Sequence, residues 1–293
     1  MENSKIARIR SFNRAVTRRV GALEESYLSR GRPLGEARLL FEIGRQGAAL
    51  GALRQRLGLD SGYLSRMLRS LEAQGLVSVG AQDDDARARY ATLTESGLAE
   101  LAAYDALSDD QAQSLLKPLS PAARDRLVAA MAEVERLMAA AAVAIEEEDP
   151  DSADARQCLG LYVAEVASRF TDGFDTAKGS TASGDEFTRP HGAFLLARLD
   201  GNPVGCGAVR LLDARTAEIK RMWVSPQARG MGLAMRMLHR LEEIARDLGA
   251  RTVCLDTNRA LTEAQSLYER QGYEEVARFN DNPYADRWYS KRL

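Results

Sequence analysis

Ile6, Ile9, Phe12, Val16, Val20, Leu23 and Tyr27 recur three or four positions apart, the spacing that gathers apolar side chains on one face of a helix. Gly31-Arg32-Pro33 ends that helix. A second helix is expected from about Gly35 to Arg45 through Leu39, Leu40 and Ile43, and a third from about Leu50 through Leu53 and Leu57. Gly58-Leu-Asp60-Ser61 supplies a tight turn and then an N-cap. The next helix, Gly62 to Gln74, buries Leu64, Met67, Leu68 and Leu71, and Gly75 closes it. Two short strands follow, Leu76–Val79 and Arg89–Leu93, around the polar tip Gln82-Asp-Asp-Asp85. Thr94 caps a helix with Leu98 and Leu101, and Ser120-Pro121 opens a later one through Leu127, Met131, Val134 and Met138.

Near Ala141 this periodicity breaks, Val143-Ala-Ile145 can open a strand, and Asp149-Pro150-Asp-Ser is turn-like. The chain is therefore expected to hold two domains, 1–141 and 142–293, with no Gly/Ser-rich tether between them. The second alternates helix and strand. A helix spans about Ser152 to Phe170 with Cys158, Leu159, Tyr162 and Val166 buried, and a Gly/Ser/Thr-rich stretch, Lys178–Arg189, is expected to be flexible. Strands Ala193–Leu199 and Val204–Leu211 meet at the hairpin turn Asp200-Gly-Asn-Pro203. Strand Glu218–Val224, helix Gly232–Leu248, strand Thr252–Asp256, helix Leu261–Gln271 and strands Glu274–Arg278 and Arg287–Lys291 complete an α/β domain with a mixed sheet.

Composition removes several function classes. No stretch approaches the ~20 apolar residues of a membrane span, and the charged N-terminus lacks the apolar core of a signal peptide, so a cytoplasmic protein is expected. Cys158, Cys206 and Cys254 are dispersed and read as reduced core thiols. With only His191 and His239, neither a metal site nor a histidine triad is well supplied. Residues 1–94 carry 16 Lys and Arg against 10 Asp and Glu, whereas residues 146–293 carry 20 against 24. A basic first third suits a phosphate backbone.

A helix of about 13 residues fits the DNA major groove with its first turns against base edges. In the segment from Asp60 to Arg69, Ser61, Tyr63, Ser65, Arg66 and Arg69 face away from the apolar stripe, and a two-stranded wing places Arg87 or Arg89 toward a neighbouring minor groove. A helical bundle with an incidental hairpin is the competing reading. Residues 1–140 resemble the MarR family of dimeric winged-helix regulators, on the long first helix, the Leu50–Gln74 helix pair, Gly75-Leu-Val77, the wing Asp83-Asp-Asp85-Ala-Arg87 and Leu93-Thr94-Glu-Ser-Gly97. The resemblance implies a mainly α winged helix-turn-helix domain that binds a double-stranded DNA operator. It makes Arg87 a wing contact with Asp85 as its local partner, and implies a homodimer through the first and last helices of that domain. The acidic tip Asp83-Asp84-Asp85 departs from what a phosphate contact requires.

In the second half, Val224-Ser-Pro226-Gln227-Ala-Arg229-Gly230-Met231-Gly232-Leu233-Ala234 follows a strand and opens a helix. Two glycines let main-chain N–H groups approach a ligand, and the helix dipole and Arg229 add positive charge, as a phosphorylated cofactor needs. The loop is too short for a P-loop and lacks its Lys-Ser/Thr pair. It resembles the Gln/Arg-x-x-Gly-x-Gly/Ala signature of GNAT N-acetyltransferases. Glu218–Val224 resembles the strand that precedes it there, and Leu255-Asp-Thr-Asn258 with Ala264-x-x-Leu267-Tyr268-x-x-x-Gly272-Tyr273 the part that follows. Over about 142–293 the resemblance implies an α/β GNAT fold with a mixed, mostly antiparallel sheet and acetyl-CoA as cofactor. The pyrophosphate is then expected on residues 229–234 and the pantetheine beside Met222, Trp223 and Val224, with Asn258 bonding the cofactor or a relay water.

An amine acceptor must lose a proton before attack. Glu218 is the expected base, through a water, and Tyr268 the acid for the departing thiolate by the resemblance; N–H groups near Met222 to Val224 can polarise the thioester carbonyl. A plain surface carboxylate and a core tyrosine are the bland alternatives. Phe174, Arg221 and Tyr284 are expected to line the acceptor pocket, beside the polar, aromatic segment Asn280–Trp288. An arginine there favours a small amine that carries a carboxylate, such as an amino acid. Two functions compete with a DNA-binding acetyltransferase: a regulator whose second domain only senses acetyl-CoA or a metabolite, and an enzyme whose helical half only dimerises.

Overall fold

The chain separates into two compact units, one reaching Val128 and the other starting at Ala129. The computed structural model describes residues 2–22, 24–82, 85–170 and 184–293, with the backbone alone at 2, 81, 82, 85–88 and 184. Leu23, Asp83, Asp84, Phe174 and the first half of the stretch expected to be flexible lie outside the described residues.

In the first unit the opening helix, α1 (Glu2–Arg19), is shorter than its apolar periodicity suggests. Gly21 sits at φ 68° and takes the backbone out of the helical region, and Tyr27–Ser29 forms a separate 3₁₀ turn. The next elements are α2 (Leu34–Ile43), β1 (Ala48–Ala49), α3 (Leu50–Leu57) and α4 (Ser61–Ala73). They are followed by β2 (Val77–Gln82), β3 (Asp85–Leu93), α5 (Glu95–Leu116) and α6 (Pro121–Ala142). Asp60 caps α4 by accepting the Tyr63 N–H at 2.8 Å. The apolar stripe of α4 then packs with Leu39, Leu40, Ile43 and Leu53. Strands order β1-β3-β2, all antiparallel, so a hairpin stands beside the second helix of a helix pair. The hairpin leads tightly into α5. Thr94 Oγ1 accepts the Gly97 N–H and donates to the Gly75 carbonyl, and a Cβ on Gly97 would come within 2.0 Å of the Leu76 oxygen.

The division at 128/129 falls inside α6, whose apolar positions continue to Ala142; the expected break near 141 marks the end of the same helix. The second unit continues with β4 (Ala144–Glu148), α7 (Ala153–Arg169), β5 (Gly192–Leu199), β6 (Asn202–Leu211) and β7 (Thr216–Val224). It ends with α8 (Leu233–Asp247), β8 (Thr252–Thr257), α9 (Thr262–Arg270), β9 (Glu274–Glu275) and β10 (Arg287–Arg292). The sheet runs β4-β5-β6-β7-β8-β10-β9, antiparallel throughout except for β7–β8. This is the mixed, mostly antiparallel sheet expected. Asp200 and Gly201 both take positive φ in the two-residue turn of the β5–β6 hairpin. The last strands differ from expectation: β9 covers two residues, because Asn280 draws the following chain off the sheet edge by bonding Glu218, Asp256 and Trp288. One face of the sheet packs Leu238, Leu241 and Ile244 of α8, and the other packs Ala155 and Cys158 of α7.

Two features of the sheet create a cleft. The parallel strands pair only from Thr216↔Thr252 to Ile219↔Leu255, after which β7 runs on to Val224 without β8 beside it. In β7 an extra residue bulges opposite Gly207: Arg221 adopts φ 57°, and its carbonyl accepts from the Cys206 thiol at 3.4 Å. Such a bulge turns the strand and re-aims its side chains. A Cβ on Gly207 would meet the Met222 sulfur at 2.8 Å, so glycine there admits the bulge.

Candidate functional site

The gap left by the parting strands opens into a cavity of about 490 Å³. Its walls come from α7, the free end of β7, the turn before α8, the first turn of α8, and α9. Of the residues expected at a cofactor, Met222, Trp223, Val224, Arg229, Gly230, Gly232, Leu233 and Ala234 line it. Gln227 is exposed on the 3₁₀ turn Pro226–Ala228, and Met231 packs into the core beneath the loop. Gly230 and Gly232 take φ of 74° and 70°, a backbone that other residues adopt at a cost. Gly232 is the N-cap of α8, and no side chain caps it, so the first-turn N–H groups face the cavity mouth unclaimed by any side chain. Free amides at a helix N-terminus above a channel walled by Met222, Val224, Leu233 and Leu267 fit a pyrophosphate joined to a long thin arm.

Arg229 does not point at that mouth. Its guanidinium pairs with Glu165 of α7 at 2.6 Å and donates to the Val224 carbonyl at 3.1 Å. Glu165 also accepts the Trp223 indole N–H at 2.7 Å and pairs with Arg169 at 2.8 Å. Burial works against this carboxylate, yet donation from Arg229 and Trp223 holds its pKa below the usual carboxylate range.

A second, smaller cavity of about 90 Å³ adjoins the cleft. Met222, Val166, Leu261, Ala264, Tyr162 and Tyr268 line both. The two tyrosine hydroxyls have no hydrogen-bond partner among the described residues. Burial pushes the Tyr162 hydroxyl up to about 12 and that of Tyr268 higher still, so both stay protonated near neutral pH. The smaller cavity also presents Lys220, Arg221, Asp256, Asn258, Asn282 and Tyr284. Arg221 lies 4.5 Å over the Phe187 ring and Tyr284 stacks on Phe170 at 6.1 Å. Asn258 donates to the Tyr284 carbonyl at 2.7 Å and accepts the Ala260 N–H, so it holds the loop that closes this cavity.

Glu218 lies behind that cavity and lines neither. It is 1% exposed and engages Arg210 at 2.8 Å, Lys220 at 3.1 Å and Asn280 at 3.0 Å. Asp256 is the carboxylate that reaches the cavity; Lys220 and Asn280 donate to one of its oxygens and Asn282 to the other. Sequence reasoning did not single out Tyr162, Glu165, Lys220 or Asp256. Tyr162 read as one of a buried stripe, Glu165 joins the site through the packing of α7, and Lys220 and Asp256 through the parting of β7 from β8.

In the first unit Ser61, Tyr63, Ser65, Arg66 and Arg69 lie on the exposed face of α4. The Arg66 guanidinium sits 5.7 Å over the Tyr63 ring, and Arg69 donates to the Ser65 carbonyl at 3.2 Å. Arg87 belongs to β3, and its side chain lies outside the described residues, as does that of Asp85. Among the described residues no group of ligating side chains is arranged to hold a metal ion, and no helix is long and apolar enough to cross a membrane.

Residues 161–273 match the acetyltransferase (GNAT) family model and residues 30–88 the MarR family model. An IAA acetyltransferase of Azospirillum brasilense is 37% identical over 97 residues, 33% of this chain and 62% of that protein. An uncharacterised N-acetyltransferase of Escherichia coli is 31% identical over 93 residues, 31% of this chain and 56% of the relative. The chain thus spans less than two thirds of either. An N-acetyltransferase of Mycobacterium bovis, also uncharacterised, is 33% identical over 110 residues, 37% of this chain and 70% of its own length. Among solved structures, a GNAT-family acetyltransferase of Staphylococcus aureus aligns with a TM-score of 0.46 at 19% identity, over 52% of this chain and 99% of its own. The chain belongs to the GNAT acetyltransferase family, and the winged helix-turn-helix that precedes the matching segment is similar to the MarR family over residues 30–88.

Proposed function

We propose that this chain transfers the acetyl group of acetyl-CoA to the amine of a small polar acceptor, and that residues 1–141 bind double-stranded DNA as a homodimer. The observation that carries the enzyme is the junction of the two cavities, where Tyr268 lines both the cleft below the uncapped N-terminus of α8 and the polar pocket. Acetyl-CoA supplies an activated thioester. The amides at Gly230 to Ala234 hold its pyrophosphate, and Met222, Trp223 and Val224 flank its arm along the edge of β7 that β8 leaves unpaired. Those strand N–H groups polarise the carbonyl under attack. Tyr268, kept protonated by burial, gives its proton to the leaving sulfur.

On the acceptor side, Asp256 faces the pocket where Glu218 does not, so Asp256 takes the ammonium proton through water. Glu218 then acts behind it by fixing Lys220 and Asn280. The sequence expectation gave the base to Glu218; its burial among three donors favours this positioning role. Arg221 and Asp256 offer opposite charges to the two ends of an amino acid, and about 90 Å³ suits a small one.

For the first unit, α4 presents arginine, serine and tyrosine on an exposed face. Exposed apolar residues of that unit, Ile6, Ile9, Phe12 and Val16 on α1 and Val128 on α6, fit a second copy of the chain. Thiol release from acetyl-CoA with a panel of free amino acids and polyamines tests the enzyme, with the acetylated product read by mass. Binding of acetyl-CoA without thiol release from any of them would leave a sensing role in its place. Salt-dependent binding to the DNA upstream of the protein's own gene tests the first unit; its absence would reduce the helical half to a dimerisation module.

A further inference from the structure

We infer that Arg136 of α6, which lies ahead of the segment that matches the GNAT model, supplies the cation that binds a phosphate of coenzyme A at the Gly230 loop. The inference rests on the acetyl-CoA site proposed above.

Three observations place it there. First, Arg229, the cation of the loop itself, is held by Glu165 and by the Val224 carbonyl. Second, a Cβ built on Gly230 would lie 3.0 Å from Nη1 of Arg136, so the guanidinium covers the glycine whose backbone borders the cavity. Third, the end of α6 is fixed to α8. Arg236, in the first turn of α8, donates to the carbonyl of Ala140, one turn beyond Arg136, at 2.6 Å and to that of Val143, just past the end of α6, at 2.8 Å. Arg136 is thus held at a constant distance from the helix N-terminus where an anion is favoured.

Its present partner is replaceable. Arg136 pairs with Glu133, one turn back on the same helix, and both side chains are nearly half exposed. Such a surface pair is weak. A phosphate carries more charge than a carboxylate and meets the guanidinium in the same forked geometry, so it displaces Glu133.

The test is calorimetric titration of full-length protein with coenzyme A and with dephospho-coenzyme A, using wild type and the Arg136→Lys, Arg136→Ala and Arg136→Glu variants. Arg136→Ala is expected to raise the Kd roughly five- to tenfold, Arg136→Glu more, and Arg136→Lys least. Added salt is expected to narrow the differences. A deficit that persists with dephospho-coenzyme A assigns the contact to the pyrophosphate, and one confined to coenzyme A assigns it to the ribose phosphate; either supports Arg136. Wild type that binds, with all three variants within twofold of it or all weakened equally, overturns the role of Arg136 and leaves the transferase standing. Wild type that fails to bind coenzyme A overturns both.

Discussion

Glu165 on α7 grips Arg229, the residue that follows the 3₁₀ turn Pro226–Ala228, at 2.6 Å, and the same carboxylate takes the Trp223 indole at 2.7 Å. One acidic residue thereby ties α7 to both the free end of β7 and the loop before α8. Glu165→Gln is expected to loosen Arg229 toward the cavity mouth and tighten coenzyme A about two- to fivefold. Because Arg229 is 41% exposed, the stability cost is modest, roughly 1–2 kcal/mol. Calorimetry and thermal melting read the two effects separately; unchanged affinity would mean that Arg229 stays turned away without its partner.

Tyr268→Phe removes a hydroxyl that bonds no other described residue, so its melting temperature should match the wild type. kcat should fall by about 10²–10⁴ if that hydroxyl protonates the leaving thiolate, with little change in KM. A kcat within threefold of wild type would take the acid away from Tyr268.

The two carboxylates should fail in different ways. Asp256→Asn is expected to fold and to lose most of kcat. Glu218→Ala leaves Arg210 and Lys220 facing one another across a buried gap, and should cost roughly 3–5 kcal/mol in chemical denaturation. A Glu218→Gln protein as stable as wild type but inactive would return the base to Glu218.

In the first unit Glu100 of α5 takes both Arg30 and Arg32. The hydrogen bond from Arg30 outweighs burial and holds the Glu100 pKa below its ordinary 4.5. With the folded pKa depressed, the contribution is complete above about 4.5 and disappears as pH falls through the folded value. Glu100→Gln should therefore cost roughly 1–3 kcal/mol at pH 7 and almost nothing near pH 2. A destabilisation independent of pH would point to packing instead.

Arg66→Ala should weaken DNA binding and lower the slope of log K against log salt by about one if the guanidinium meets a phosphate. Fluorescence anisotropy at several salt concentrations measures it. Loss of affinity with an unchanged slope would place Arg66 on a base edge.

Periodicity and turn chemistry made most of this architecture legible before any coordinates. Thr94 caps the helix it was expected to cap, because a cap is written in one residue and its next few neighbours. The glycine loop at 230–232 was legible for the same reason. What was hidden is long-range. Arg229 reads as a phosphate ligand until α7 brings Glu165 to it across 64 positions. Asp256 is an ordinary strand residue until β7 departs from β8 and Lys220 and Asn282 converge on it. The shortening of α1 was readable, since Gly21 stands in the sequence, but the continuing apolar stripe outweighed a single glycine.

The grip of Arg236 on the last carbonyls of α6 means that an enzyme fragment begun at residue 142 would be born with a wound. It would lack the Ala140 acceptor, leave the Arg236 guanidinium with the Val143 carbonyl alone, and discard Arg136 altogether. An acetyltransferase fragment that begins before Pro121 keeps that helix, and with it both the Ala140 acceptor and Arg136, whole.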